Sequence, residues 1–150
     1  MRHEQQLDRN CAIARTGAML GERWVFAILR AAYFRARTFE DYAAATGIAR
    51  NVLADRLKRL VEYGILEKRP YEQTASRTRS EYRLTDAGLD LYPVIVGLMR
   101  WAGRHLADGE DMSALELIHR GCGAPADPYL ACSNCHEPIT GRDIEARVRA

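Results

Sequence analysis

Near the C-terminus, HRGCGAPADPYLACSNCHEP (residues 119–138) sets His119, Cys122, Cys132 and Cys135 as H-x2-C followed by C-x2-C, with nine residues between the halves. Two intervening residues let both members of a pair face one centre, and four nitrogen and sulfur donors meet the tetrahedral demand of Zn2+. The four residues therefore make a complete set for one structural Zn2+ per chain. Gly121 and Gly123 permit tight turns, and His136 is a spare ligand beside Cys135. Four protein ligands leave no open position, and no general base stands beside the cluster, so catalytic zinc is not expected and no catalytic residue is assigned. Two other chemistries stay open. Cys132 and Cys135 can serve as the redox dithiol of a thiol-disulfide protein, although the strand-helix setting of a thioredoxin-like site is missing. The cysteines can also be free thiols, with Cys122 pairing to another on oxidation.

What could position such a cluster is bounded by the rest of the chain. A length of 150 residues with 47% hydrophobic content supports one ordinary domain and a small appendage. No apolar run approaches the roughly 18 residues of a membrane span, and MRHEQQLDRN lacks a signal-peptide centre. A cytoplasmic protein without a membrane partner is expected, and in a reducing compartment cysteines are ligands, sensors or buried thiols more often than disulfides. The net charge of +2 excludes nothing, but its distribution is uneven. Nine Lys/Arg face five Asp/Glu between Arg50 and Arg83, whereas His105 to Ile118 holds four acids and no Lys/Arg. Only the middle of the chain suits a polyanion.

The elements follow from periodicity. CAIARTGAMLGERWVFAILRAAYF reads as two short helices broken at Gly21, with Ile13, Met19, Leu20, Trp24, Val25, Ile28 and Leu29 available for a core. TFEDYAAATGI has Thr38 as N-cap, Asp41 to complete a near capping box, and Gly47 as the stop. IARNVLADRLKRLVEYGIL places Ile48, Val52, Leu53, Leu57, Leu60 and Val61 on one stripe, with Arg50, Asn51, Asp55, Arg56, Lys58 and Arg59 mostly off it. ILEKRPY and SEYRLT have strand character around a polar loop, QTASRTR. Thr85 begins a long helix, TDAGLDLYPVIVGLMRWAGRHL, that Pro93 should kink. Such an apolar helix exposes more surface than one core covers, which favours a dimer. No internal repeat is evident. The acidic ADGEDM (107–112) is the expected join between residues 1–106 and an appendage, 107–150, that ends in a helical turn at RDIEARV.

Helix, glycine turn, amphipathic basic helix and basic hairpin, in that order, describe a mainly α fold with a small β-wing: a winged helix-turn-helix carrying a Cys/His-containing appendage. In such a fold the second helix enters the major groove and the wing meets phosphate or the minor groove. Winged helices also serve as protein-interaction modules, so the topology leaves that alternative open.

The residues also resemble a family. A cysteine before the first helix, the G-x-x-W segment (21–24), L-x-x-R-L-K-x-L (53–60), Y-x-L-T-x-x-G (82–88) and the proline stretch leading to Trp101 are similar to the HxlR-type winged-helix transcriptional regulators, over roughly residues 11–106. The resemblance implies homodimers, joined through the N-terminal and long C-terminal helices, that bind palindromic operators in double-stranded DNA as repressors or activators. It places Arg50, Asn51, Arg56 and Lys58 on the recognition helix and Arg77 and Arg79 on the wing. Arg50 and Asn51 suit base edges, where guanidinium and amide groups make bidentate contacts; Lys58 and the wing arginines suit phosphates. Ala49 departs from the small hydroxyl residue common in the family, which alters capping, and Asp55 can orient Arg56 or Arg59 by a salt bridge.

Cys11 follows Asn10, a good N-cap, with Arg9 and Arg15 near; a helix N-terminus and basic neighbours favour the reactive thiolate. The resemblance implies oxidant or electrophile sensing at this position in some members. A small apolar residue in a dimer interface is the alternative. An oxidant or small-molecule effector follows from the first reading, though no residue pattern identifies a pocket.

Overall fold

The computed structural model describes residues 11–74, 77–106, 116–126, 129–145 and 147, with the backbone alone for 71–74 and 77–79. It contains α1 (Ala12–Leu20), α2 (Val25–Tyr33), α3 (Phe39–Thr46), α4 (Arg50–Glu62), β1 (Leu66–Thr74), β2 (Arg77–Leu84), α5 (Asp86–Asp90) and α6 (Tyr92–His105). Two compact units divide the chain, Met1–Ile95 and Val96–Ala150, with the boundary inside α6 rather than at the acidic segment, which lies outside the described residues.

In the first unit, α1 ends at Gly21 as expected. The cap position of α1 falls on Cys11, one residue later than expected, and Asn10 and Arg9 lie outside the described residues. Thr38 and Asp41 form a full capping box: the Asp41 backbone N–H donates to the Thr38 hydroxyl, and the Asp41 carboxylate accepts from the Thr38 N–H at 2.8 Å. Gly47 then closes α3 in the left-handed conformation (φ 64°), where a side chain would be strained. The chain turns directly into α4, whose Leu53, Leu57 and Leu60 are fully buried.

These leucines meet Ile28 and Leu29 of α2, Tyr42 of α3, and Ile65 and Leu66 at the entry to the wing in one core. Two of the expected core residues are not in it. Ile13 is 83% exposed and Trp24 is 36% exposed, because Trp24 occupies a left-handed turn (φ 82°) that turns its ring to Arg23. Tyr42 is buried, and loss of water around its hydroxyl pushes its pKa up to about 12.

The wing is longer than the sequence suggests. Thr74 pairs with Arg77, so the ladder runs through most of the stretch expected to be a loop, with an irregularity at Pro70/Glu72. The Tyr82 N–H donates to the Arg37 carbonyl at 2.7 Å and Thr38 bridges Glu81, which ties the wing to the start of α3. Tyr82 also packs edge-on against Tyr42. Beyond the wing, Thr85 caps only the five-residue α5, accepting from the Gly88 N–H and donating its hydroxyl to the Gly64 carbonyl. Gly88 is buried where a Cβ would lie 2.3 Å from the Ile65 carbonyl oxygen, so only glycine fits. Pro93 does not kink a continuous helix. The chain breaks at Leu91, and Pro93 sits in the first turn of α6, where its missing N–H costs nothing.

In the second unit, α6 presents Leu98 and Trp101 as exposed residues, the Trp101 ring tilted against that of His105 with centroids 5.5 Å apart. From residue 116 onward no described side chain is buried. Two short hairpins instead surround single β-bridges, Ile118 with Pro125 and Ala131 with Pro138. Residues 140–143 form a turn rather than the expected helix, held by the Thr140 N–H donating to the Asp143 carboxylate at 2.7 Å; residues 146 and 148–150 lie outside the described residues.

Candidate nucleic-acid interface

Helix α4 positions its polar residues by what it buries. With Leu53, Leu57 and Leu60 in the core, residues at other angles of the 3.6-residue period face away. Arg50 and Asn51, at the N-terminal end, are exposed. The Arg50 guanidinium lies over the Phe39 ring, 4.6 Å from its centroid, and 3.3 Å from a Glu40 carboxylate oxygen, so the first turn of α3 fixes where it points. With 68% of its side chain exposed, that pairing is weak enough to exchange for another anion. Lys58 is 77% exposed and 3.7 Å from Glu62, one turn on.

Arg56 has a different place from the one expected. Its side chain is only 21% exposed, and its Nε lies 2.9 Å from Glu22 Oε2. Neither of those buried atoms makes a hydrogen bond, so charge rather than alignment holds them. A terminal Arg56 nitrogen pairs with Asp55, and Arg59 pairs with both Asp55, at 3.3 Å, and Glu22. Asp55 thus orients both arginines, as the sequence allows. Glu22, which sequence reasoning missed, joins the α1–α2 turn to the outer side of α4. The signal was an acid within GERW, facing a helix otherwise rich in arginine; its partner lies 34 positions away, beyond any helical spacing.

On the wing, Arg77 and Arg79 stand in β2 opposite Thr74 and Glu72. Among the described wing side chains, Lys68 lies over the Tyr82 ring at 5.8 Å, and Arg69 and Arg83 pair with Glu67 and Glu81. Ala49, at the N-cap of α4, makes no side-chain cap bond, so α4 begins without the hydroxyl that would satisfy its first N–H groups.

Cys11 is exposed at the N-terminal end of α1, with its carbonyl accepting from the Arg15 N–H at 3.0 Å. The four tail donors stand as two pairs. His119 Nδ1 is 3.2 Å from Cys122 Sγ. The Cys132 sulfur accepts from the backbone N–H groups of Cys135 and Asn134, which hold its thiol below the ordinary value. Among the described residues, no three His, Cys, Asp or Glu side chains come together in an arrangement able to hold a metal ion.

Helix α3, the Gly47 turn, α4 and the two-stranded wing define a winged helix-turn-helix protein. Within that class the chain belongs to the HxlR-like helix-turn-helix family, whose model matches residues 19–110. It is 42% identical over 133 residues to the uncharacterised HTH-type transcriptional regulator Rv3095 of Mycobacterium tuberculosis, covering 89% of this chain and 82% of that protein. Among solved structures it is similar to PA1607, described as a candidate transcription factor (29% identity, TM-score 0.80, 95% of this chain and 98% of that one). It is also similar to diamide-treated YodB of Bacillus subtilis (25% identity, TM-score 0.52, 63% of this chain and 94% of that one). The protein is thus a transcriptional regulator of the helix-turn-helix class. A match of 133 residues cannot be contained within residues 1–106, so the likeness reaches into the Cys/His tail, further than the sequence motifs extend.

Proposed function

We propose that the protein binds a palindromic operator in double-stranded DNA as a homodimer, with α4 in the major groove of each half-site. The observation that carries this reading is the division of α4. Three fully buried leucines anchor it while Arg50, Asn51 and Lys58 stay at the surface, on the element that a winged helix offers to the groove. Arg50 and Asn51 read base edges, Lys58 and the wing residues Arg77 and Arg79 meet phosphate, and Arg56 holds α4 in position through Glu22. Two apolar surfaces support the dimer. Helix α1 buries only Leu20 of its nine residues, too little to hold so short a helix in water, and α6 exposes Val94, Leu98 and Trp101 at helical spacing along one face.

Binding of the purified protein to its own upstream DNA, measured against random duplex over a salt series, tests this. Asn51→Ala should reduce discrimination by about 1–3 kcal/mol at one base pair per half-site. Lys58→Ala should weaken all sequences alike and lower the salt slope by about 0.9 per chain. Equal affinity for both duplexes across salt, or unchanged binding when Arg50 and Lys58 are both neutralised, would favour a protein-interaction module instead.

Thiol control of that binding is supported by the exposure of Cys11 at a helix N-terminus and by the likeness to YodB, solved after treatment with diamide, a thiol oxidant. Diamide should change operator affinity in the wild type and leave Cys11→Ser unaffected.

A further inference from the structure

The tail contains a structural repeat that its residue identities conceal. At residues 117–126 the His119 N–H donates to the Ala124 carbonyl (2.9 Å), the Gly123 N–H to His119 (2.8 Å) and the Ala126 N–H to Leu117. At residues 130–139 the Cys132 N–H donates to the Glu137 carbonyl (3.0 Å), the His136 N–H to Cys132 (2.9 Å) and the Ile139 N–H to Leu130 (2.9 Å). Each bond of the second hairpin is the corresponding bond of the first moved on by thirteen residues. The bridges repeat at the same offset, and so do the left-handed residues, Gly123 (φ 72°) and His136 (φ 60°). This corrects the reading of the chain as free of internal repeats. Only Leu117/Leu130, Cys122/Cys135 and Pro125/Pro138 are identical between the two.

Each hairpin is a knuckle that puts a donor at its first turn position and another three residues later. The donors differ in type but not in place: His119 and Cys122 on one, Cys132 and Cys135 on the other. At 3.2 Å, the His119 nitrogen and Cys122 sulfur lie close to the about 3.6 Å that two such atoms span across one tetrahedral Zn2+. His136 stands at the turn position where the first knuckle has Gly123, outside the two donor positions that the knuckles share. Histidine enters the left-handed region less readily than glycine, so the second knuckle repeats the path of the first at a residue less suited to it. Among the described residues from 116 onward, no buried side chain stabilises it.

We propose that the two knuckles are the halves of a single Zn2+ centre, with His119 and Cys122 from one and Cys132 and Cys135 from the other, one ion per chain. Each half carries two donors, so neither satisfies the ion alone. The hydrogen bonds of the first knuckle end at Ala126 and those of the second begin at Leu130, so the two donor pairs stand on adjacent knuckles of the chain. Three thiolates and one imidazole form a set that suits Zn2+ and leaves no position for substrate, so the ion is structural: it supplies the tail with the stability that buried side chains do not.

The test uses the full-length reduced protein, with metal content by elemental analysis and Co2+ alone as spectroscopic probe. One zinc per chain is expected, and on exchange one Co2+ with the intense visible bands of a tetrahedral site and sulfur charge-transfer bands of three thiolates. Cys122→Ser and Cys132→Ser lie on different knuckles, yet each should abolish the tetrahedral spectrum. His119→Cys should keep the stoichiometry at one and raise the charge-transfer intensity from three thiolates to four, which shows that the fold survives substitution there. Two metal ions per chain, iron in place of zinc, a spectrum that survives loss of either knuckle, or metal-free protein with every thiol titratable would overturn the proposal.

Discussion

The winged helix and the knuckle tail are built from the same backbone chemistry and stabilised in opposite ways. In the first, fourteen hydrophobic residues are buried together, drawn from every layer between Leu20 and Leu66. In the second, Ile118, Tyr129, Leu130 and Ile144 are all exposed, and turn hydrogen bonds provide the order. Hydrogen bonds exchanged with water stabilise a chain by only about 1 kcal/mol each, less than the cost of ordering the residues that make them. A core can repay that cost; a surface turn cannot. The difference teaches that the winged helix is held by its own core, while the tail depends on whatever binds it.

The largest expected effect breaks the core side of this contrast. Leu57 is fully buried among its neighbours, so Leu57→Ala should destabilise the winged helix by about 2–5 kcal/mol in a urea melt followed by helical signal. Chelator should leave that transition of the wild type where it was. A chelator-induced shift of the same size would mean that the winged helix depends on the tail, and the contrast would fail.

A smaller effect separates holding α4 from touching DNA. Glu22→Ala leaves the half-buried Arg56 and Arg59 to share Asp55 alone. A loss of about 1–3 kcal/mol is expected, because two guanidinium groups, one of them half buried, lose the carboxylate whose charge offsets their desolvation. Operator affinity should fall with it even though Glu22 lies on the α1–α2 turn, and Glu22→Gln should recover part of both. Stability that falls while affinity holds would show that Arg56 supports the fold without positioning the recognition helix.

How much of this was legible follows local spacing. The capping box, the Gly47 turn and the leucine stripe of α4 were readable because each is written within a few residues. The pairing of Arg56 was not legible because it stands three residues after Leu53 and four before Leu60, at the edge of the buried stripe, where Glu22 from a distant turn joins Asp55 in deciding which way it turns. The full length of the wing and the break at Leu91 were hidden in the same way: cross-strand pairing extends polar residues into a ladder, and Thr85 caps whichever helix begins after it. The tail repeat escaped because what recurs is the backbone path, while the residues at equivalent positions alternate between His and Cys and between Gly and His. For the same reason the donors could be named from the sequence and their arrangement in knuckles could not.

The smallest expected effect compares the two regions on one local device. TFED at 38–41 and TGRD at 140–143 make the same turn: the threonine N–H donates to the aspartate three residues on, at 2.8 Å and 2.7 Å. Both carboxyls are held below their ordinary pKa, Asp41 by the backbone N–H groups of Thr38 and Arg37 and Asp143 by the Thr140 hydroxyl and then the Thr140 N–H. Only the first starts a helix, because Phe39 and Tyr42 follow it into the core, whereas the second leads to the exposed Ile144. Asp41→Ala should therefore cost about 1 kcal/mol at neutral pH. A depressed folded-state pKa contributes stability above the unfolded carboxyl value of about 3.9, and that contribution is lost as pH falls through the folded value. The gap between wild type and Asp41→Ala should accordingly close as the medium is acidified below about pH 4. Asp143→Ala should leave the unfolding of the winged helix unchanged at every pH, since its turn anchors no buried side chain. An equal pH-dependent loss from both would mean that the tail shares in the cooperative fold, and that its turns stabilise more than themselves.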